Sequence, residues 1–373
     1  MKKLLLFSAI LVLTLGILLT ACTSTPTSAP PASSSQPAPA TTSAPPPPAP
    51  AVTELKFSYW PPPADKWVQR GILPWGDAIS KATNGRIKVT YFGGATLGAP
   101  PDHLDLVKKD TADIGWINPA FTSNVFPLTD IRNLPFLYPS VEVAAKVFWK
   151  QQEILNPIEY KDIKVLWTFP TPTMQLSMVN KPVRTLEDLK GMKFGETEPM
   201  AAKTDTFMGI VPVVIPDETQ IYTGLERGML DGRWQEYNGL VTWKCGEVTK
   251  YRVDAVDIYV HQNMIVMNLQ KYNSLPADLK KAIDDTTGML QSAASGDIWA
   301  GCERDSLAEQ RAADKAKGNP DPYVLPASEK ARWVTAAQPA IDAWLKDAAA
   351  RGQGDIAQDL LNKTKQWVAE FSK

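Results

Sequence analysis

Leu55, Phe57 and Tyr59 alternate with Lys56, Ser58 and Trp60, the period-two pattern of a strand, and Pro61, Pro62 and Pro63 end it abruptly. From there short apolar runs and helical spacing take turns. The pattern predicts a helix over 67–81 interrupted near Pro74, then a turn at Asn84 and Gly85 into a strand over 86–92. A helix over about 101–109 and a strand over 112–117 come next. They are followed by an amphipathic helix over 141–155, a strand over 163–169 and a strand over 176–180.

The most regular stretch is 183–238. Thr185 with Asp188 three residues on reads as a capping box, and Gly191 ends that single helical turn. A strand over 192–196, a helix to about Met208, a strand over 211–215 ended by Pro216, a helix through Arg227 and a turn at Asp231 and Gly232 complete it. This β-α-β-α-β order predicts a parallel sheet, whose strand ends form a ligand crevice. That singles out Gly195, Glu196 and residues 233–237, with Trp116 and Asn118 at the end of an earlier strand. Beyond it, 251–269 predicts a strand pair around His261, and a long helical pattern runs from Pro276 past Gly296 to Gly318. Helices over 329–350 and 355–371 close the chain.

Several phrases in this stretch resemble the solute-binding receptors of tripartite ATP-independent periplasmic (TRAP) transporters, of the C4-dicarboxylate-receptor type. They are DLKGMKF (188–194), GIVPVVIP (209–216) and YTGLERGMLDG (222–232), in the family's order, with FPLTD (126–130) and LPFL (134–137) before them. The loop over 93–98 resembles the family's Gly-rich loop; it lacks the Lys-Ser/Thr ending of a phosphate cradle. The resemblance implies an α/β, two-lobed periplasmic-binding-protein fold (type II-like): two lobes with mixed, largely parallel sheets joined by hinge strands and a long helix. Lobe I is expected over about 53–173 plus 263–300, and lobe II over about 174–262 plus 301–373.

Composition changes the picture at the amino terminus. Lys2 and Lys3, an apolar run over 4–19 and the sequence Leu19, Thr20, Ala21, Cys22 read as a lipoprotein signal peptide over 1–22 with lipidation at Cys22. Residues 23–52, rich in Pro, Ala, Ser and Thr, read as a tether. Removing Lys2 and Lys3 takes 39 basic residues to 37 against 40 acidic, a balance of −3. With no basic stripe, nothing points to nucleic acid. Cys245 and Cys302 would remain, and export permits a disulfide between them, although their spacing supplies no geometry.

The two histidines, His103 and His261, leave little material for a His-rich metal site or a Ser-His-Asp triad. No catalytic residues, metal or cofactor are therefore assigned. The expected function is capture of a small organic acid, or an aromatic or neutral solute, and its delivery to TRAP permease subunits. The expected place is the cell envelope outside the cytoplasm, on the membrane through the lipid anchor. A membrane-tethered ligand sensor and an extracellular hydrolase are the alternatives.

The ligand candidates are Tyr59, Trp60, Trp116, Asn118, Gln175, Gly195, Glu196, Arg233, Trp234 and Gln235. Tyr59 and Trp60 suit the core equally well. The family's usual carboxylate anchor is a strand arginine that here is Gly195, and a second arginine seen in some relatives would fall near Met174 or Gln175. Two readings stay open. Arg233 replaces the anchor, with Lys193 pointing the other way; or a neutral or larger aromatic solute is held by tryptophans and amides, and Gly195 opens space for it. The loss of both anchors and the recurrence of tryptophan at strand ends favour the second.

Overall fold

In the computed structural model, which describes residues 51–373 apart from Ser123 and Pro216, the alternating stretch forms β1 (Thr53–Ser58) with Leu55 and Phe57 wholly buried. Cys22 and most of the predicted tether lie outside the described residues. The other strands are β2 (Ile87–Phe92), β3 (Ile114–Ile117), β4 (Ile163–Pro170), β5 (Gln175–Met178), β6 (Lys193–Glu196), β7 (Val211–Val214), β8 (Gly232–Gln235), β9 (Tyr251–Asp254), β10 (Gln262–Asn268) and β11 (Tyr323–Val324). They form two mixed sheets, ordered β2-β1-β3-β10-β4 and β11-β9-β5-β8-β6-β7. β1 pairs in parallel with β2 and β3, and β6 with β7 and β8; β10 is antiparallel to β3 and β4, as β5 is to β8 and β9.

Each half of the fold is built on one sheet. β10 is buried along its whole length because Ile265 and Met267 face one core cluster while Met264 and Val266 face another. In the second half Leu176, Met178, Phe194 and Trp234 pack on one face, and Ile221, Leu225 and Leu230 on the other. The chain crosses between sheets over 171–174 and again over 255–261. The two crossings hold each other through Thr171 N to His261 O (2.9 Å) and Met174 N to Tyr259 O (2.9 Å).

The helices are α1 (Leu73–Ala82), α2 (His103–Lys108), α3 (Val141–Glu159), α4 (Pro199–Phe207), α5 (Glu218–Glu226), α6 (Tyr237–Thr242), α7 (Cys245–Val248), α8 (Leu269–Ser274), α9 (Ala277–Asp285), α10 (Gly288–Lys317), α11 (Ala327–Ala350) and α12 (Gly354–Phe371). α10, 30 residues long, lies against α3 and β4 in the first half and α6 in the second. α11 also serves both: Trp333 and Ala337 join the second core, Ile341 and Trp344 the first. α12, expected with the second lobe, packs on α3 in the first half.

Several local expectations change. The long helix from Pro276 is two, because Gly288 at φ +71° breaks it. Gly296 stays inside α10, where a Cβ would come within 2.8 Å of Ala145 on α3. Pro74 does not interrupt its helix, because a π-helical turn over Val68–Ile72 runs directly into α1, whose first turn contains the proline. The predicted strand pair around His261 is not a hairpin: β9 and β10 belong to different sheets. Cys245 and Cys302 are free, buried thiols. Among the described residues no helix is long and apolar enough to cross a membrane.

Candidate functional site

Strand ends of both sheets, the crossings and α10 surround a cavity of about 640 Å³. The first half supplies an aromatic wall. Trp60 follows β1, Trp116 is the next-to-last residue of β3 and Phe121 follows that strand; Trp60 lies 4.9 Å from Trp116 at 49° and 6.0 Å from Phe121 at 57°. Behind them Trp67 stacks on Phe169 (4.1 Å) and on Trp299 (5.6 Å), which α10 brings to the same cavity. Trp116 Nε1 donates to Asn263 Oδ1 at 2.8 Å, which fixes the indole plane.

The second half supplies polar groups. Alternation along β8 turns Arg233 and Gln235 to the cavity side and Trp234 into the core. Arg233 Nη1 and Nη2 donate to the two carboxylate oxygens of Glu218, at 2.5 and 3.2 Å. Burial opposes charge on Arg233, but Glu218 outweighs it and holds the guanidinium protonated. Glu236 is pushed up to about 8 by burial and by the neighbouring Glu303 carboxyl.

Two contacts tie the halves together at the cavity. Asn118 Nδ2 donates to Glu198 Oε1 at 2.6 Å. Asp65, after β1, accepts from Asn238 Nδ2 (3.1 Å) and Thr242 Oγ1 (2.7 Å) on α6, and from the backbone N–H groups of Trp67 and Val68. His261 Nδ1 lies 3.8 Å from Glu198 Oε1. Burial lowers His261 to about 3 and raises Glu198, so burial works against charge on both partners.

Of the predicted ligand residues, Trp60, Trp116, Asn118, Arg233 and Gln235 line this cavity together. The other five do not. Tyr59 faces inward against Phe57 and Gly93, on the side its alternation with Leu55 dictates. Gln175 is occupied at the crossing, donating to Asp257 (2.8 Å) and accepting from Val256 N (3.0 Å). Trp234 packs against Phe194 and Trp333 and donates to Asp205. Glu196 is buried, accepting from the Tyr259 hydroxyl at 3.0 Å. Gly195 opens no space, because a Cβ there would meet Leu230 Cδ1 at 2.7 Å.

Sequence reasoning missed Asp65, Phe121, Glu218, Asn263 and Trp299, and placed Glu236 only within the stretch 233–237. Only Glu218 and Phe121 had a local signal: Glu218 opens the helix after a predicted strand end, and Phe121 closely follows Asn118. Among the described residues no group of three or more His, Cys, Asp or Glu side chains is placed to hold a metal ion. A rigid aromatic wall opposite fixed hydrogen-bonding groups suits non-covalent capture of a small planar molecule.

Comparison with known proteins points the same way. Residues 57–348 match the model of the family described as bacterial extracellular solute-binding protein, family 7. Among curated relatives, the C4-dicarboxylate-binding periplasmic protein DctP of Rhodobacter capsulatus is 24% identical over 303 residues, covering 79% of this chain and 87% of that one. The uncharacterized protein YiiZ of Salmonella typhimurium is 26% identical over 182 residues, 47% of this chain; the chain spans 55% of that relative's length. It spans 62% of a solute-binding protein of Verminephrobacter eiseniae. Among solved structures, a TRAP solute-binding protein from Rhodoferax ferrireducens T118, in complex with copurified benzoate, is 27% identical with a TM-score of 0.80, covering 86% of this chain and 99% of that one. A marine metagenome TRAP solute-binding protein specific for aromatic acid ligands, with 3-hydroxybenzoate, is 25% identical with a TM-score of 0.80, covering 87% and 100%.

Proposed function

The chain belongs to family 7 of the bacterial extracellular solute-binding proteins, and from that premise we propose that it captures an aromatic organic acid between its two halves and delivers it to TRAP permease subunits. The observation that carries this reading is the pairing of an aromatic wall, Trp60, Trp116 and Phe121, with the buried Arg233 on the opposite sheet. The likeness to the benzoate complex supports it.

Arg233 takes the part of the strand arginine that Gly195 lacks. Phe194 pairs with Gly232, so Gly195 and Arg233 are cross-strand neighbours on one face of the second sheet. The guanidinium therefore comes from the next strand, and α5 covers the glycine. A planar fork suits a carboxylate, and the solute's carboxylate competes with Glu218 for it. Capture is by closure about the crossings at 171–174 and 255–261. The solute favours the closed form only through contacts made with both halves at once. It leaves chemically unchanged. Lipidation at Cys22 and the tether over 23–52 keep the binding domain at the outer face of the membrane.

The test is a thermal-shift series with benzoate, phenylacetate, succinate and a neutral sugar, scored also by tryptophan fluorescence. A ligand of the folded state raises the melting temperature by mass action. Aromatic acids should give the largest shifts and quench the tryptophans; a largest shift from succinate would overturn the aromatic assignment. Recovery of the acid unchanged after long incubation separates capture from hydrolysis.

A further inference from the structure

The cavity wall is short of positive charge. Asp65, Asp217, Glu218 and Glu236 are its acids, Arg233 its one guanidinium, and Glu218 already occupies the Arg233 fork. Asp65 and Glu236 are 6% and 7% exposed, and neither makes an ion pair among the described residues. Gln235, 2% exposed, holds Oε1 buried without a donor. The heads of Gln235 and Glu236 converge: a Cβ on Gly239, itself at the cavity, would lie 2.7 Å from Gln235 Nε2 and 2.7 Å from Glu236 Oε1. An acceptor-rich edge across the cavity from an aromatic wall attracts a cation through its carboxylates, and the ring quadrupoles of the wall favour the same charge.

We propose that the captured solute is a zwitterion, with a cationic nitrogen as well as its carboxylate. The nitrogen is held by Gln235 and Glu236, the carboxylate by Arg233, and the apolar frame by Trp60 and Trp116. This rests on the capture reading above and sharpens it. A hydroxyl would satisfy Gln235 equally well but would leave the negative charge of the wall uncompensated. Glu236, held largely protonated at pH 7 by burial, would give up its proton to pair with the nitrogen, so binding carries a proton signature.

The experiment is isothermal calorimetry on the purified protein at pH 7 with three matched probes. They are 4-(aminomethyl)benzoate, 4-(hydroxymethyl)benzoate and 4-methylbenzoate. The aminomethyl acid should bind about tenfold tighter than the other two. It should also release protons, read from heats in buffers of different ionisation enthalpy. Glu236→Gln should cost the zwitterion more than it costs the methyl acid and should abolish the proton release; Gln235→Met, at the other group holding the nitrogen, is the second variant should the first unfold. Equal binding of the hydroxymethyl acid, or a preference that survives both substitutions, overturns the proposal. If the acids lacking an ammonium group bind and the zwitterion does not, aromatic-acid capture stands and the zwitterion falls; if none binds, both fall.

Discussion

The Arg233–Glu218 pair sits where stability and ligand affinity pull against each other, and a double-mutant cycle separates them. The Arg233 side chain is 2% exposed and that of Glu218 16%, joined through two N–O contacts of 2.5 and 3.2 Å. Removing either partner leaves the other charge buried and alone, at a cost of about 3–5 kcal/mol. In a domain of this size each kcal/mol moves the melting temperature by about 2 °C or slightly less, so Arg233→Met and Glu218→Leu should each lower it by about 5–10 °C. The double variant removes both charges and should recover most of that loss. Binding should divide differently. Glu218→Leu frees the fork and should tighten an aromatic carboxylate by about tenfold, whereas Arg233→Met and the double variant should lose it. Calorimetric melting and titration of all four proteins read the cycle. The reasoning is refuted if Glu218→Leu loses affinity along with Arg233→Met, because Glu218 would then hold the solute instead of competing with it.

Other outcomes follow from burial. Burial pushes Glu236 up to about 8 and Glu303 to about 7, against about 4.5 when unfolded, so the native chain keeps protons that the unfolded chain has lost and stability should fall as pH rises from 5 to 8. His261, lowered to about 3, opposes this below pH 6.5: the unfolded chain takes up its proton first, which offsets part of the stability gained as pH falls from 6.5 to 5. A melting temperature that climbs steadily between pH 6 and 8.5 would contradict this, and Glu303→Gln should flatten the slope. Burial raises the Cys245 and Cys302 thiols to about 11, so neither should react with a thiol reagent until the protein is denatured; silence after denaturation would mean a disulfide. Gly232→Ala should destabilise by more than Gly195→Ala. A Cβ at 232 meets the rigid Ser177 carbonyl at 2.7 Å, whereas at 195 it meets the movable tip of Leu230, for which about 1–3 kcal/mol of overpacking is the scale. Melting midpoints in urea compare the two. Cys22→Ala should leave the precursor unlipidated, read by its mobility and membrane fractionation; normal membrane attachment would remove the anchor.

The strand and helix order was readable because periodicity reports burial directly, and Thr185 with Asp188 forms the capping box it promised. The same rule, applied residue by residue, sorts the site candidates too. Tyr59 shares its face with Leu55 and Phe57, so it is core, while Trp60 turns to the cavity. Along β8, Arg233 and Gln235 share one face and Trp234 takes the other. What strand position alone obscures is this two-fold choice, because nearness to a strand end does not say which way a side chain points. The rest was not local. Trp299 arrives on α10, Asn263 on a strand inserted between β3 and β4, and Asp65 on a loop whose polar partners lie on α6. No pattern around any one of these residues encodes those meetings.

Closure itself has a scale that the contacts set. Three side-chain hydrogen bonds join the halves at the cavity: Asn118 to Glu198, and Asn238 and Thr242 to Asp65. At a net ~0.5–1.5 kcal/mol each they contribute a few kcal/mol at most, and ordering the two halves offsets part of that. So small a sum leaves the empty protein able to open, the regime in which a ligand can shift the population. A solute touching Trp116 on one sheet and Arg233 on the other adds a term that exists only when both halves meet. Moving a two-state equilibrium from mostly open to mostly closed takes about 5.5 kcal/mol of differential binding. One buried carboxylate–guanidinium contact and one aromatic face together are of that order. A solute that engages one wall alone falls short, so the division of the site between two sheets makes tight capture conditional on a molecule long enough to reach both.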